Sequence, residues 1–122
     1  MVHTSVGHNG WNVAGQNSLL VKLPAGINRK FCALFGVAGV ALRCVRRMRV
    51  SHGGNVFVAG QGPIGHFVAQ MARAAGAKVT VTDRLQNRLD MAKKNGVHIT
   101  RNIDDKETEA HPIEGGPYNI RL

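Results

Sequence analysis

Residues 55–83, NVFVAGQGPIGHFVAQMARAAGAKVTVTD, have the pattern of a strand, a glycine turn, a helix and a second strand. Residues 56–59 form a short apolar run, which is typical of a strand buried on both faces of a parallel sheet. Residues 60–65, GQGPIG, follow at once and match the pattern G-x-G-x-x-G. This succession predicts an α/β fold with a parallel sheet.

Each glycine of the turn has its own expected role. Gly60 allows the tight turn out of the strand, Gly62 lets a pyrophosphate approach the backbone, and Gly65 lets the helix pack closely on the strand. Pro63 and Ile64 then open a helix, because proline suits a first helical turn. The amides at that helix start have no partner within the helix, so we predict that this turn binds the phosphates of a dinucleotide.

A carboxylate stands at the end of the second predicted strand. The helix after the turn has apolar residues at helical spacing, and Gly76 gives it a typical end. Residues 78–82 alternate as a strand, and Asp83 follows them, 18 residues after Gly65. A carboxylate at this place can accept hydrogen bonds from both hydroxyls of an adenosine ribose. The alternative is a glycine turn in an α/β domain that binds no ligand.

A second helix and further strands are predicted after Asp83. Residues 84–94 have the spacing of a short helix, and residues 97–100 are a third strand. Residues 104–110 are acidic and would form one or two helical turns, and residues 118–120 would begin a fourth strand. The residues expected to face inward on the second helix are Leu85, Leu89 and Ala92.

Before the glycine turn, the sequence predicts a strand over residues 18–23 and one long helix that Asn28 caps. Cys32 and Cys44 both fall in this helix, twelve residues apart and outside any C-x-x-C pair, so two structural thiols are favoured over a disulfide or a zinc site. The expected apolar stripe of the helix is Phe31, Leu34, Ala38, Ala41, Leu42, Val45 and Met48.

Composition limits the class of protein. The chain of 122 residues is 43% hydrophobic, which is enough for one modest domain with a core. No apolar run approaches the roughly 20 residues of a membrane span, and no signal peptide is visible, so we expect a cytoplasmic protein. The formal net charge is +9, and residues 1–82 carry no carboxylate. This basic surplus suits an anionic dinucleotide, and the 5% aromatic content argues against nucleic acid as the partner.

The motifs resemble those of the medium-chain dehydrogenase/reductase superfamily, which includes the zinc alcohol dehydrogenases. GQGPIG is similar to that family's G-x-G-P-I-G form, and residues 69–77 look like its A-x-x-A-K-x-x-G-A helix end. Residues 88–96 are similar to its R-L-x-x-A-x-x-x-G-A segment. Upstream, residues 20–24 look like the strand that closes the catalytic domain, and residues 38–47 look like the helix that leads into the cofactor domain.

The resemblance implies a Rossmann-type parallel sheet with flanking helices, incomplete at about three to four strands, preceded by the tail of a GroES-like β domain. The implied domains are residues 1–27 for that tail and residues 28–122 for a partial dinucleotide-binding domain. Because a complete sheet of this type has about six strands, we expect a chain that looks truncated from a longer dehydrogenase. The exposed edge of the first strand would favour aggregation or a homo-oligomer.

The resemblance implies a role for Arg88, and the position next to Asp83 predicts one for Arg84. Arg88 stands where the family commonly has a basic residue that touches the adenosine ribose, and the alternative is an exposed helix arginine. Arg84 follows the acid directly and could stack near the adenine or help hold a 2′-phosphate. Because Asp83 would repel such a phosphate, NAD is favoured over NADP as the cofactor.

Zinc is not supported by the residues present. The family holds its catalytic zinc partly through a Gly-His-Glu motif, whereas His8 is followed by Asn9 and lies too close to the glycine turn. A further family ligand would fall within residues 35–37, where no ligand residue stands, and Cys32 does not match that position. The chain is therefore more similar to the zinc-independent branch, or to a chain that lacks the zinc residues.

The resemblance thus implies an NAD(P)-dependent oxidoreductase that transfers hydride to or from an alcohol or carbonyl substrate, with this chain supplying the dinucleotide-binding segment. The catalytic residues are unknown, and we expect the chain alone to be inactive. Two alternatives are a regulatory nucleotide-binding module without catalysis and a basic nucleic-acid-binding protein.

Overall fold

The computed structural model describes residues 2–3, 9–105 and 120–121. The chain divides into two compact units, Met1–Phe35 and Gly36–Leu122. The predicted domain boundary between residues 27 and 28 stays a prediction. Gly7 and His8, residues 118–119 and most of the acidic segment lie outside the described residues.

The first unit contains a small antiparallel pair and a short helix. Strand β1 (Val2–His3) pairs with strand β2 (Val21–Lys22), and helix α1 (Arg29–Cys32) follows. Asn28 caps this helix as predicted, since its side chain accepts a hydrogen bond of 3.0 Å from the amide of Lys30. The strand predicted over residues 18–23 is shorter in the structure, because only Val21 and Lys22 are paired.

The prediction of one long helix after Asn28 is wrong. Helix α1 ends at Cys32, and a separate helix α2 (Phe35–Arg47) begins after Ala33 and Leu34. The amide of Leu34 bonds the carbonyl of Phe31 at 3.1 Å, a tighter i→i−3 turn that interrupts the helical pattern. Phe31 is 68% exposed, although its spacing placed it on the predicted apolar stripe. Because this side chain is not buried, its packing does not stabilise a continuous helix.

The second unit is built on a parallel sheet of four strands in the order β5-β4-β3-β6. The strands are β3 (Asn55–Ala59), β4 (Lys78–Asp83), β5 (Ile99–Asn102) and β6 (Ile120–Arg121). Helix α3 (Pro63–Ala74) connects β3 to β4, and helix α4 (Gln86–Lys94) connects β4 to β5. The predicted Rossmann-type sheet with flanking helices is confirmed, and Ile120 belongs to the predicted fourth strand.

The strand order determines where a ligand can bind. After β5 the sheet resumes with β6 on the opposite side of β3, so the direction of winding reverses between β3 and β6. In doubly wound sheets, ligands bind outside the carboxyl ends of the strands at such a reversal. The glycine turn leaves β3 at that point.

The core of this unit consists of small and branched apolar side chains from the central strands and their helices. Its most buried members include Val56, Val58, Val68, Ala72, Val79, Val81, Leu89 and Ala92. Strand β4 is buried on both faces rather than alternating as predicted, since Thr80 and Thr82 are also covered. The reason is its position between β3 and β5, inside a parallel sheet.

Two element starts differ from the prediction for local reasons. Helix α4 begins at Gln86 because the Asp83 side chain accepts a hydrogen bond of 2.9 Å from the Leu85 amide, which makes residues 84–85 a turn. Leu85, predicted to face inward, is 50% exposed. Strand β5 begins two residues late because the His98 imidazole accepts the Val79 amide at 3.1 Å, in place of a strand carbonyl.

No helix of the described residues is long and apolar enough to cross a membrane.

Replacing Leu89 with alanine should strongly destabilise the second unit. Leu89 is 2% exposed and joins α4 to the sheet core, so its truncation leaves a cavity that costs about 2–5 kcal/mol. Met91 lies on the same helix but is 50% exposed, so Met91→Ala is the matched control. Urea melts of the two variants should differ by most of that cost, and equal midpoints would contradict this packing of α4.

Candidate dinucleotide-binding site

Two successive amides of the glycine turn donate hydrogen bonds to the neighbouring strand. Gly60 has a φ of +85°, which glycine adopts without strain, and its amide donates to the Thr82 carbonyl at 2.8 Å. The next amide, that of Gln61, donates to a carboxylate oxygen of Asp83 at 2.6 Å. These two hydrogen bonds to the end of β4 therefore fix the position of the turn that follows β3.

Helix α3 begins with no side-chain cap. Gly62 is its N-cap residue in an extended conformation, Pro63 is the first helical residue, and the first turn contains no acidic side chain. The first amide to bond back into the helix is that of His66, which donates to the Gly62 carbonyl at 2.9 Å. The amides of Ile64 and Gly65 lie earlier in the helix and are positioned to bind an anion.

The absence of a Cβ has a different consequence at Gly65 than at Gly62. A Cβ on Gly65 would overlap the Gly60 carbonyl oxygen, so this glycine is required for close packing of α3 on the turn. Apart from its chain neighbours, a Cβ on Gly62 would meet no atom of the described residues within 4 Å, and the backbone there has an ordinary φ of −71°. The space beside Gly62 is therefore open for a ligand, as the predicted pyrophosphate role requires.

Asp83 is almost fully buried and binds both neighbouring turns. The side chain is 7% exposed, one oxygen accepts the Gln61 amide, and the other accepts the Leu85 amide. Arg88 lies 3.6 Å away across the second turn. The hydrogen bond from Leu85, together with the Gln61 amide and the Arg88 charge, lowers the pKa of Asp83, so the carboxylate is ionised at neutral pH. Its motif position predicted only a ribose contact, and the structure adds this positioning role.

Gln61 is a site residue that sequence reasoning missed. Its side chain is 1% exposed, and its amide nitrogen donates to the Gly60 carbonyl at 3.1 Å. Its Oε1 atom is buried and has no hydrogen-bond partner among the described residues. A buried unpaired acceptor is costly and is often a feature of a functional site. The variable position of G-x-G-x-x-G carries no signal that could have identified it.

Two grooves flank the glycine turn. One, of about 430 Å³, is lined by the predicted residues Asp83, Arg84 and Arg88 together with Leu85 and Ile103. The other, of about 400 Å³, is lined by the predicted residues Gly62, Pro63, Ile64 and Gly65 together with Cys44. Ala59 and Gly60 belong to both grooves, so the structure brings all eight predicted site residues around one turn.

Arg84 meets a second residue that sequence reasoning did not single out. Its Nε atom lies 3.1 Å and 3.3 Å from the two carboxylate oxygens of Asp104.

His66, on the first turn of α3, lies near the Asp83 and Arg88 charges. Its pKa is lowered, mainly by burial and then by Arg88, so His66 is neutral at pH 7.

The described residues contain no group of three or more histidines, cysteines or acids that could hold a metal ion. Cys32 and Cys44 are free thiols, the first buried and the second half-buried.

Alanine at Gly65 and at Gly62 should affect folding differently. Gly65→Ala should lower the free energy of unfolding by about 1–3 kcal/mol, because the added methyl group overlaps the Gly60 carbonyl. Gly62→Ala should leave it nearly unchanged. Thermal melts of both variants test this contrast, and equal losses would contradict the different roles of the two glycines.

Acid should destabilise the chain partly through Asp83. Because its pKa in the folded chain is below the ordinary value of 3.8, ionised Asp83 stabilises the fold above that pH, and the contribution is lost as pH falls through the folded pKa. Asp83→Asn should therefore be less stable at pH 7 and lose less stability than the wild type between pH 5 and pH 2.

Urea melts across this pH range measure the effect. Asp90→Asn is the control, since Asp90 is exposed on α4 and accepts one hydrogen bond from Gln86. An acid loss as large in Asp83→Asn as in Asp90→Asn would contradict the assigned role of Asp83.

Comparison with known proteins gives one consistent result. The sequence model of the family described as zinc-binding dehydrogenase matches residues 63–116. The chain is 36% identical over 96 residues to 2-dehydro-3-deoxy-L-galactonate 5-dehydrogenase of Pseudoalteromonas atlantica, covering 79% of this chain and 28% of that protein. It is 31% identical over 118 residues to sorbitol dehydrogenase of Arabidopsis thaliana, covering 93% of this chain and 32% of that protein.

Among solved structures, L-idonate 5-dehydrogenase from Escherichia coli shares the fold, with a TM-score of 0.73 and 23% identity over 84% of this chain and 30% of that one. The chain thus spans about 28% to 32% of the length of these three relatives. The glycine turn, the parallel strand order and the matched sequences lead to one conclusion. The chain belongs to the medium-chain dehydrogenase/reductase superfamily and contains part of its cofactor-binding domain.

Proposed function

We propose that this chain binds NAD(H) as the dinucleotide-binding part of an oxidoreductase that acts on an alcohol, a polyol or the corresponding carbonyl compound. One observation carries the proposal: the uncapped start of α3 opens into free space at Gly62, next to the amide that ionised Asp83 holds. A dinucleotide requires donors for its pyrophosphate and a carboxylate for its adenosine ribose at this spacing.

The residues present fit such a cofactor. The amides of Ile64 and Gly65 would donate to the pyrophosphate, and the missing Cβ of Gly62 leaves room for it. Asp83 would accept the ribose hydroxyls through the lone pairs that Gln61 and Leu85 do not use, with Arg88 beside it. When bound, the nicotinamide would supply the hydride chemistry, and the protein would orient it.

The charge of Asp83 favours NAD(H) over NADP(H). The carboxylate is ionised at neutral pH, and its Arg88 neighbour lies 3.6 Å away in an ion pair. A 2′-phosphate placed on the ribose would meet this carboxylate at close range and be repelled. A ribose with two hydroxyls can instead donate hydrogen bonds to it.

The names of the relatives support the substrate class. They include a sorbitol dehydrogenase and a 2-dehydro-3-deoxy-L-galactonate 5-dehydrogenase, whose names denote polyhydroxylated substrates. We propose that residues 1–27 are the tail of a catalytic domain and that residues 28–122 belong to the cofactor domain. No residue of this chain is assigned to the chemical step.

Titration of the folded chain with NADH tests the proposal. The wild type should bind saturably and more tightly than it binds NADPH, and Asp83→Asn should weaken NADH binding about tenfold or more, because a charge-assisted hydrogen bond is lost. Gly62→Ala should weaken binding while leaving the melting temperature unchanged, because its methyl group occupies only ligand space.

The control for this titration is Asp90→Asn, which removes the same charge from the exposed side of α4. It should bind NADH like the wild type. Absence of saturable NADH binding by a chain whose cooperative melt shows it to be folded would refute the proposed function.

A further inference from the structure

The turn after β5 holds an acidic residue, Asp104, which contacts Arg84 in the lining of the groove beside Asp83. Asn102 pairs in register with Asp83, and the amide of Ile103 donates to the Asp83 carbonyl at 3.2 Å. The Asn102 side chain then accepts the amide of Asp104 at 3.0 Å. Because these bonds tie the turn to the end of β4, the backbone of Asp104 has a fixed position relative to Arg84.

Asp104 uses this position to bind the guanidinium of Arg84. Both of its carboxylate oxygens lie within 3.3 Å of the Arg84 Nε atom. The two side chains are 72% and 54% exposed, so they meet at the surface, where a ligand could also reach Arg84. Arg84 lines the groove together with Asp83 and Arg88.

The charges around this groove balance. Arg88 pairs with Asp83 at 3.6 Å, and Arg84 pairs with Asp104 at 3.1 Å. Among the described residues that line this groove, together with their ion-pair partners, these two cations and two carboxylates leave no net charge for a further anion. A phosphate on the ribose carries a charge of about −1.5 to −2 at neutral pH, so it needs a surplus of positive charge, whereas a hydroxyl does not.

We infer that Asp104 is a specificity-determining residue, which neutralises Arg84 and thereby weakens the binding of a 2′-phosphorylated dinucleotide in this groove. Asp83 opposes the phosphate from the buried side of the groove, and Asp104 removes the cation that could compensate for it at the surface. The inference rests on the proposed function and adds a residue, on the turn after β5, that the glycine motif and its acid do not include.

The test compares NADH and NADPH binding by the wild-type chain and by Asp104→Asn, which keeps the size of the side chain and removes its charge. Asp104→Asn should tighten NADPH binding about tenfold at low ionic strength, as expected when one charge a few ångströms from a phosphate is removed, and should tighten NADH binding much less. The gain should shrink as salt is added.

Two further variants show whether the effect acts through Arg84. Asp105→Asn removes an equal charge from the next residue, which is exposed and makes no ion pair among the described residues, and it should gain much less NADPH affinity. Combining Asp104→Asn with Arg84→Gln should abolish the gain, because the released cation is then absent.

The outcomes separate this inference from the proposed function. NADH binding by the wild type, with NADPH affinity unchanged in Asp104→Asn or raised equally in Asp105→Asn, would overturn the role of Asp104 and leave the dinucleotide site standing. Failure of the folded wild type to bind NADH would remove the site and the inference together.

Discussion

The hydrogen bond from the Gln61 amide to Asp83 is the contact on which the arrangement of the site depends. At 2.6 Å it joins the first residue after the Gly60 turn to the last residue of β4. Parallel pairing brings the carboxyl ends of β3 and β4 to the same edge, and this bond continues the pairing one step beyond the backbone ladder. One buried carboxylate therefore positions both the start of α3 and the start of α4.

This arrangement explains why Asp83 tolerates burial. A buried carboxylate is costly unless hydrogen bonds and charge compensate it, and Asp83 has two backbone donors and a nearby arginine. The same contacts lower its pKa, so the group is ionised and oriented before any ligand arrives. Preorganisation of this kind reduces the cost of binding, because the protein need not reorder its own groups.

The two grooves differ in chemistry although they share the turn. The groove beside Asp83 carries paired charges, whereas the groove beside Gly62 combines apolar side chains with the uncapped helix start. A dinucleotide has the same division, with a ribose at one end and a pyrophosphate at its centre. The reversal of winding between β3 and β6 leaves this edge of the sheet open, which is the general reason why such sheets bind ligands there.

Local patterns determined most of the second unit. The apolar run of β3, the proline at the start of α3 and the glycine that ends α3 depend on neighbouring residues, and each element was predicted at its observed place. The predicted burial of β3 on both faces was wrong, since only Val56 and Val58 are buried and Ala59 is exposed. The glycine motif, with Asp83 behind it, likewise determined which residues surround the turn. These features are local because apolar runs, helix capping and positive φ values are properties of short segments.

Only the tertiary structure decided the features that depend on contacts between distant residues. The break between α1 and α2 is such a case, because helical spacing continues through Leu34 while packing does not. The buried side chain of Gln61 and the pairing of Arg84 with Asp104, 20 residues away, also left no pattern in the sequence. Sequence spacing records periodicity along the chain, whereas these contacts arise from how parallel strands bring separate loops to one edge.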